Sequence, residues 1–282
     1  MLASAVAPVL ELGSRRFDTS ARAVVMGIAN RTPDSFFDKG TYFDFDRFLA
    51  HCDRLLEDGA DVIDVGGVKA GAGPEVGEAE ELDRVVGAVQ AIASRLDVAI
   101  SVDTWRASVA RACFEQGAVL GNDISGFADP AYLEAAAAAG ASVVATHIRL
   151  APRVPDPDPP YGDVVSTVEA RLVELAGAAT RAGISPERII VDPGLDLGKT
   201  TAHSLELLGA APRYAALGWV EMLSASNKTF LGEALGISVS ERRDASLAAA
   251  ALGIIGGCRV LRVHDVAGTA RVRDLLAAIL AE

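Results

Sequence analysis

The sequence predicts an α/β fold, a single (β/α)8 TIM barrel preceded by a short N-terminal strand or hairpin. Short apolar runs alternate with helical patterns eight times over roughly 260 residues, the count and size of such a barrel. Each apolar run ends in polar residues, as barrel strands do at their carboxyl ends. The alternative, a doubly wound open sheet, usually carries a G-x-G-x-x-G loop after its first strand, and none follows this one.

The predicted strands are short apolar runs of the kind that a parallel sheet buries on both faces. They occupy residues 24–30, 62–65, 100–103, 119–123, 142–147, 189–192, 220–223 and 259–264.

The predicted helices are the segments in which apolar residues recur at helical spacing. Gly59 and Gly183 end two of them, and Ser238 with Glu241 has the spacing of a capping box. The helices occupy residues 44–58, 74–96, 106–116, 130–139, 164–182, 201–210, 238–253 and 267–280.

The chain divides into an N-terminal extension or hairpin, residues 1–22, and the barrel, residues 23–282. We expect the extension to cover one end of the barrel. Residues 152–160 contain five prolines in nine positions, which favours an extended loop over a helix. This loop is either a lid or a plain surface connection.

Composition excludes several functional classes. Half of the residues are hydrophobic and the net charge is −12, so a large core is expected and no basic stripe offers a nucleic-acid surface. No apolar run is long enough to span a membrane, and the N-terminus lacks the features of a signal peptide. Cys52, Cys113 and Cys258 are neither paired nor metal-spaced, which suits a reducing cytoplasm.

Polar side chains stand at the end of every predicted strand, and a closed barrel would bring them to one mouth. Carboxylates and amides can bind the edge of a hydrogen-bonding heterocycle. Lys228, Arg262 and His264 can hold an anion such as a phosphate. The strand-end residues are Asn30, Asp64, Asp103, Asn122 with Asp123, His147, Asp192, Ser226 with Lys228, and Arg262 with His264.

Each of these residues also has a purely structural interpretation. A single Asp often caps a helix, and a single Asn often supports a turn. His147 could be a half-buried histidine with satisfied hydrogen bonds, and Lys199 could be solvated. Stability alone does not require eight polar strand ends on one face, so a functional site is favoured.

Seven short motifs are spread in order over the chain. They are Met-Gly-Ile-Ala-Asn with Thr-Pro-Asp-Ser-Phe (26–36), Asp-Val-Gly-Gly (64–67), Ser-Val-Asp-Thr (101–104), Asn-Asp (122–123), Asp-Pro-Gly with Gly-Lys (192–199), Ser226 with Lys228, and Arg-Val-His-Asp-Val (262–266). With these motifs the chain resembles the dihydropteroate synthase family from about residue 23 to the C-terminus. The resemblance implies a barrel that joins a dihydropterin methyl diphosphate to p-aminobenzoate, releasing pyrophosphate and forming dihydropteroate in folate synthesis.

The resemblance also implies residue roles. Asp103, Asn122, Asp192 and Lys228 would bind the pterin, and Asn30, Arg262 and His264 the diphosphate, with Mg²⁺ near Asn30. Phe36 and Asp38 would lie on a mobile first loop that closes over the aromatic amine. Asp103, Lys228 and Asp38 are the implied catalytic residues. The family further implies a homodimer through the helices after strands six to eight, including the Ala-rich residues 245–253.

Three departures from the family pattern fall on the p-aminobenzoate and diphosphate side. The second loop lacks the usual Thr and Arg at Ala70 and Gly71, and the usual Ser-Arg-Lys has Asn227 in place of Arg. The sixth loop has Leu195 and Leu197 where aromatic residues are usual. The pattern is similar to a divergent second dihydropteroate synthase copy found in actinobacteria. Lys69 or Arg31 could replace part of the lost charge.

Three functions are compatible with these residues. The first is an ordinary transferase of the folate pathway. The second is a pterin-pocket protein that has lost this reaction and either has a binding or partner role or uses another acceptor. The third, a methyltetrahydrofolate-binding domain, is disfavoured because Asn30, Arg262 and His264 are kept and no corrinoid domain is attached.

Overall fold

Eight parallel strands close into a barrel in the computed structural model, which describes residues 9–20, 22–32, 44–71 and 73–280. An antiparallel hairpin precedes the barrel, so both parts of the predicted fold are confirmed. The hairpin strands are β1 (Val9–Leu12) and β2 (Arg15–Asp18). The barrel strands are β3 (Val24–Asn30), β4 (Val62–Gly66), β5 (Ala99–Asp103), β6 (Leu120–Asp123), β7 (Ser142–Thr146), β8 (Ile189–Asp192), β9 (Val220–Leu223) and β10 (Val260–Val263).

Strand register explains why polar residues far apart in the chain meet. Asn30 pairs with Gly66 and Gly66 with Asp103. Asp103 in turn pairs with Asn122. Four consecutive strands therefore present these positions in one row at the carboxyl rim of the barrel.

All eight predicted helices are present, with shifted boundaries. Two further short helices, Ala211–Ala215 and Thr229–Leu235, were not predicted because each has only about two helical turns or less. The helices are α1 (Phe45–Glu57), α2 (Glu78–Arg95), α3 (Ala107–Glu115), α4 (Tyr132–Ala138), α5 (Val164–Arg181), α6 (Thr201–Gly209), α7 (Ala211–Ala215), α8 (Thr229–Leu235), α9 (Arg243–Gly256) and α10 (Val266–Leu280).

Two helix starts differ from the prediction for identifiable reasons. Residues 74–77 are not helical, and Gly77 is the extended N-cap of α2. The Ser238–Glu241 capping box is confirmed, but it opens one 3-10 turn, Val239–Glu241, before α9 begins. Gly257, with φ of 110°, ends α9 in the left-handed conformation that glycine adopts at little cost.

The lower half of the barrel is apolar and the hairpin covers it. Leu10 and Leu12 are buried in one apolar cluster with residues of all eight barrel strands, among them Met26, Leu120 and Ile190. Alternate residues of the same strands pack outward against the helices. Because the apolar filling occupies the amino end, the polar carboxyl end is left to form a site.

One carboxyl group is buried in the outer apolar layer. Glu221 on β9 is 2% exposed, and its Oε2 has no hydrogen-bond partner among the described residues. Burial raises the pKa of Glu221 well above its ordinary value, and the nearby Cys258 thiol opposes this. Burial thus favours the protonated form of Glu221, because a lone carboxylate there would be strongly disfavoured.

We expect Glu221 to make the stability of the protein fall as pH rises. Its native pKa is raised, so above about pH 4.3 the native state keeps a proton that the unfolded chain has lost. The contribution to the free energy of unfolding then decreases by about 1.4 kcal/mol per pH unit in that window. Urea unfolding between pH 5 and 8 should show a smaller decrease in Glu221→Gln than in the wild type, because Asp103, whose pKa is also raised, contributes to both.

The matched control is Glu206→Gln, which removes an exposed carboxylate on α6. Its pH profile should run parallel to the wild type. A Glu221→Gln profile that also runs parallel to the wild type would show that the side chain is ionised when folded.

Candidate functional site

A buried guanidinium joins two carboxylates at the carboxyl end of the barrel. Arg262 on β10 donates from Nε to Asp64 Oδ2 at 2.6 Å and from Nη2 to Asp103 Oδ2 at 2.6 Å. Asn122 Nδ2 donates to the same Asp64 oxygen at 3.1 Å. Residues from β4, β5, β6 and β10 thus form one hydrogen-bonded group, which we call the polar floor: Asp64, Asp103, Asn122 and Arg262.

The polar floor keeps acceptors that the described residues do not use. Asp64 Oδ1 and Asn122 Oδ1 are buried and have no hydrogen-bond partner there. Leaving such a group unpaired costs about 1–3 kcal/mol. A ligand that donates hydrogen bonds would satisfy this acceptor pair.

The polar floor contains a carboxyl group whose pKa lies near neutral pH. Burial raises the pKa of Asp103 to about 7, with Arg262 opposing the shift and Asp64 adding to it. Asp103 can therefore exchange a proton near physiological pH, a property typical of functional sites.

A second charged pair lies beside the polar floor. Asp192 at the end of β8 accepts from the Gly194 N–H at 2.8 Å, and Lys228 Nζ donates to the Leu195 carbonyl at 2.5 Å. Burial raises the pKa of Asp192, with Lys228 opposing, and burial lowers the pKa of Lys228, with Asp192 opposing. Each of the two groups thus offsets part of the effect of burial on the pKa of the other.

Gly194 allows this turn to approach the neighbouring loop. Its φ is 68°, and a Cβ there would lie 2.1 Å from the carbonyl oxygen of His147. Only glycine fits, because this contact is to backbone rather than to a flexible side chain.

His264 is a neutral hydrogen-bonding group rather than a cation. Burial lowers its pKa to about 3, with Arg262 adding to the shift. Ser226 Oγ accepts from the His264 backbone N–H at 3.2 Å and lies 3.1 Å from Nδ1. The Ser226 hydroxyl thus contacts both the backbone and the ring of His264. A neutral imidazole can contribute to anion binding by a hydrogen bond rather than by charge.

Lys199 is buried, so its interpretation as a solvated side chain is wrong. It is 8% exposed, and Nζ contacts His147 Nδ1 at 3.0 Å and the carbonyls of His147 and Leu197 at 3.2 and 3.0 Å. Burial lowers the pKa of Lys199 to about 7. Burial, with Lys199 adding, lowers the pKa of His147 to about 3. His147 is buried, and its contacts with Lys199 through Nδ1 and the carbonyl oxygen connect two loops.

A cavity of about 490 Å³ opens above the polar floor. Its inner wall includes Lys228, Arg262 and His264, and its outer wall includes the loop of Lys69, Ala70 and Gly71. Residues Arg153, Val154, Pro155 and Asp156 complete the outer wall, so the proline-rich connection lines the cavity and is not a plain surface loop.

The family model described as "Pterin binding enzyme" matches residues 26–264, which include this whole site. The chain belongs to this pterin-binding enzyme family. It is 44% identical over 264 residues to inactive dihydropteroate synthase 2 of Mycobacterium leprae, covering 92% of this chain and 91% of that protein. It is 37% identical over 261 residues to dihydropteroate synthase of Bacillus subtilis, covering 92% and 89%.

A solved structure of the family superposes closely. Yersinia pestis dihydropteroate synthase with a sulfonamide drug complex gives a TM-score of 0.93 at 35% identity, over 97% of this chain and 100% of that one. The resemblance read from the motifs is therefore confirmed, and this is a dihydropteroate synthase-family barrel. No helix within the described ranges is long and apolar enough to cross a membrane.

The structure brings most of the expected pterin-binding enzyme residues together. Asp103, Asn122 and Arg262 share the polar floor, and Asp192 with Lys228 lies beside it. Asn30 Oδ1 packs against Gly66 on the same rim, where a Cβ would be only 2.7 Å away. The expected first-loop residues Phe36 and Asp38 lie outside the described residues.

Asp123, at the end of β6, and Arg31, directly after β3, make contacts that do not belong to the candidate site. Asp123 caps its own loop by accepting from Ser125 N at 2.6 Å and Phe127 N at 3.1 Å. Arg31 donates to the Arg84 carbonyl at 2.8 Å and stacks over Phe45, so it does not line the cavity. Of the two charge replacements considered, only Lys69 is a cavity residue.

Sequence reasoning missed two contributors to the site. Asp64 was recognised as a strand end, but nothing in the motif showed that it binds Arg262. Arg153 gave no signal, because a single Arg inside a proline-rich loop resembles any solvated residue. A clue to Asp64 was available in the sequence. Two neighbouring strands each end in a carboxylate, Asp64 and Asp103, and a third strand carries Arg262.

We expect Arg262→Met to destabilise the protein by about 3–5 kcal/mol at pH 8, because two buried carboxylates lose their partner. The loss should be smaller at pH 5. Arg262 lowers the pKa of Asp103, so its removal raises a pKa already near 7 and extends the range in which protonation relieves the charge. Urea unfolding at both pH values measures this difference.

Arg262→Lys is the matched control, since it keeps the charge while losing the forked geometry. It should cost less than Arg262→Met at pH 8. Equal losses for Arg262→Met at pH 5 and pH 8 would contradict the assignment of ionised partners.

Proposed function

We propose that the polar floor, together with Asp192 and Lys228, binds the pterin ring of a pterin diphosphate. The observation that supports this most is the unpaired acceptor pair of the polar floor, Asp64 Oδ1 and Asn122 Oδ1, next to Arg262, which lines the cavity. The pyrimidine edge of a pterin carries adjacent N–H donors, which resemble a guanidinium in the pattern they offer to carboxylates. Such a ring can donate hydrogen bonds to acceptors that an apolar ligand would leave unpaired.

The diphosphate would extend toward Asn30, Arg262 and His264. Arg262 offers charge and His264 offers a hydrogen-bonding ring, and both line the cavity. Mg²⁺ fits this end in a limited way: Asn30 supplies one oxygen ligand of the type that Mg²⁺ takes, and phosphate oxygens would supply others. Bound there, the ion would supply charge neutralisation to the leaving diphosphate.

The reaction of the family would break the bond between the pterin methylene and the diphosphate oxygen. The amine of the acceptor forms the new carbon–nitrogen bond and gives up a proton. Asp103, lying in the polar floor, would favour positive charge developing on the methylene, and Lys228 would orient the ring. Asp38, on the first loop, is the third residue that we propose to be catalytic.

We propose that dihydropteroate synthesis by this chain is weak or absent. Asn227 is neutral, and Ala70 and Gly71 offer no charge or hydroxyl to the cavity. Each lost charged hydrogen bond accounts for about 1.5–3 kcal/mol. The Mycobacterium leprae relative that is 44% identical is named inactive, which favours the second candidate, a pterin-binding protein with a binding or partner role outside folate synthesis.

Pterin binding is the direct test. Fluorescence titration of the full chain with 6-hydroxymethylpterin should show saturable binding. Asp192→Asn and Lys228→Ala should each weaken it at least about tenfold, because each leaves a buried charge unpaired. Asp97→Asn, an exposed residue whose partner is Arg15, is the control and should bind as the wild type does. Wild type without saturable binding would refute the proposed function.

Turnover separates the two candidate functions. Two lost charged contacts would lower efficiency about a hundred- to ten-thousandfold. We expect the specificity constant for p-aminobenzoate to lie below the ordinary range of about 10⁴ M⁻¹s⁻¹ or more. Asn227→Arg with Ala70→Thr and Gly71→Arg should recover part of the activity. A wild-type value inside the ordinary range would rule out the inactive candidate.

We also propose a homodimer formed through α9 and α10. Four large apolar side chains on these helices are about half exposed or more: Leu252 at 48%, Ile255 at 49%, Leu275 at 62% and Ile279 at 57%. Adjacent helices with apolar outer faces are typical of a surface that a second copy covers.

Sedimentation velocity at micromolar concentration should give a dimer. Leu275→Glu combined with Ile279→Glu should shift it to monomer, since charge is disfavoured in a buried interface. Val173→Glu, at an exposed apolar position on α5, is the control and should stay dimeric. A wild type that sediments only as monomer would contradict the proposed interface.

We place the protein in the cytoplasm, as the sequence composition indicates. Cys52, Cys113 and Cys258 are all free and buried, an arrangement compatible with a reducing compartment.

A further inference from the structure

Arg153 differs from the other guanidinium of the cavity in its partners. Arg262 is balanced by Asp64 and Asp103, whereas Arg153 forms no ion pair with any residue that the structure describes. In a protein of net charge −12, an uncompensated cation facing a cavity is unexpected without an anionic ligand.

The guanidinium of Arg153 is held in place by backbone. Nη2 donates to the Pro74 carbonyl at 2.7 Å and to the Gly73 carbonyl, both on the loop after β4. Nε and both N–H groups of Nη1 are not used within the described ranges. A donor that is already fixed loses little freedom when a ligand binds, so it binds more tightly than a mobile side chain.

Further contacts hold the rest of the proline-rich loop in position. Asp156 pairs with Arg149, Nε to Oδ2 at 2.6 Å, and packs against Gly198, where a Cβ would be 3.1 Å from Oδ2. Arg153 itself has φ of 70°, a conformation that non-glycine residues keep only where surrounding contacts impose it. The loop therefore presents Arg153 in a defined position.

The cavity that Arg153 lines has an apolar part, formed by Ile148, Val154, Pro155 and Leu197. Its two carboxylates are already bound, Asp156 by Arg149 Nε at 2.6 Å and Asp196 by the Thr229 N–H at 2.6 Å. Asn227 also lines the cavity and carries no charge. A ligand that suits this part of the cavity has an apolar body and one anionic end.

We propose that Arg153 binds the carboxylate of a flat, apolar-bodied acid, such as an aromatic carboxylate, in the outer half of the cavity. This inference deepens the proposed function and rests on it, because it names how the acceptor side of the same site recognises its ligand. Arg153 reaches the carboxylate from the proline-rich loop, and the neutral residue 227 takes no part. Arg153 is thus a specificity-determining residue for acids over neutral analogues.

The test compares an acid with its neutral isostere. Isothermal titration of the full chain with 4-aminobenzoate and 4-aminobenzamide gives both affinities for the wild type and for Arg153→Gln. We expect the wild type to prefer the acid about tenfold or more, and Arg153→Gln to lose about ten- to hundredfold in affinity for the acid alone. Affinity for the amide should change less than about twofold.

Two control variants separate recognition from loop structure. Arg171→Gln removes an exposed charge on α5 that pairs with Glu174, so it controls for net charge and should leave both affinities unchanged. Arg149→Gln loosens the loop without removing the cavity cation and should weaken both ligands alike. An Arg153→Gln variant that weakens both ligands alike, or a wild type without preference for the acid, would overturn the proposal.

The pterin titration keeps this test distinct from that of the proposed function. A wild type that binds 6-hydroxymethylpterin but does not discriminate acid from amide overturns the role of Arg153 alone. A wild type that fails to bind the pterin refutes the proposed function, whereas the comparison of acid and amide still decides what Arg153 recognises.

Discussion

The forked contact of Arg262 with Asp64 and Asp103 is the interaction on which this site depends. It joins the last barrel strand to β4 and β5 and balances charges that the interior could not hold singly. Buried ion pairs of this kind add little net stability, but removing one partner is costly. The barrel thus keeps an arrangement that is unfavourable to alter, and the same arrangement leaves acceptors on Asp64 and Asn122 open to a ligand.

The inner and outer halves of the cavity are built from different parts of the fold. The inner half keeps charged and amide groups fixed by strand register, so its geometry follows from the barrel itself. The outer half is built by loops, which accept substitutions with little effect on the fold. Neutral residues at 70, 71 and 227 there coexist with a cation, Arg153, delivered from a different loop. A pterin pocket with an altered acceptor side accounts for both observations.

The barrel and the polar floor followed from the sequence because both are set by strands. Apolar runs marked the strands, and their polar ends, such as Asp103 and Asp192, had to meet at one rim. Contacts made by loops did not follow. Lys199 was interpreted as solvated because its burial depends on where the loops of His147 and Leu197 fold. Glu221 went unnoticed because a single carboxyl in an apolar strand gives no sign of which face it occupies.

The central claim, that the polar floor around Arg262 is where a pterin binds, can be tested at one atom. Nitrogen-15 NMR of the arginine Nε–H groups, with the Arg262 signal assigned by its loss in Arg262→Lys, reports the contact with Asp64 directly. The account predicts a slowly exchanging Arg262 signal in the free protein that shifts when 6-hydroxymethylpterin saturates the chain. A signal that stays unchanged at full pterin saturation would contradict the account.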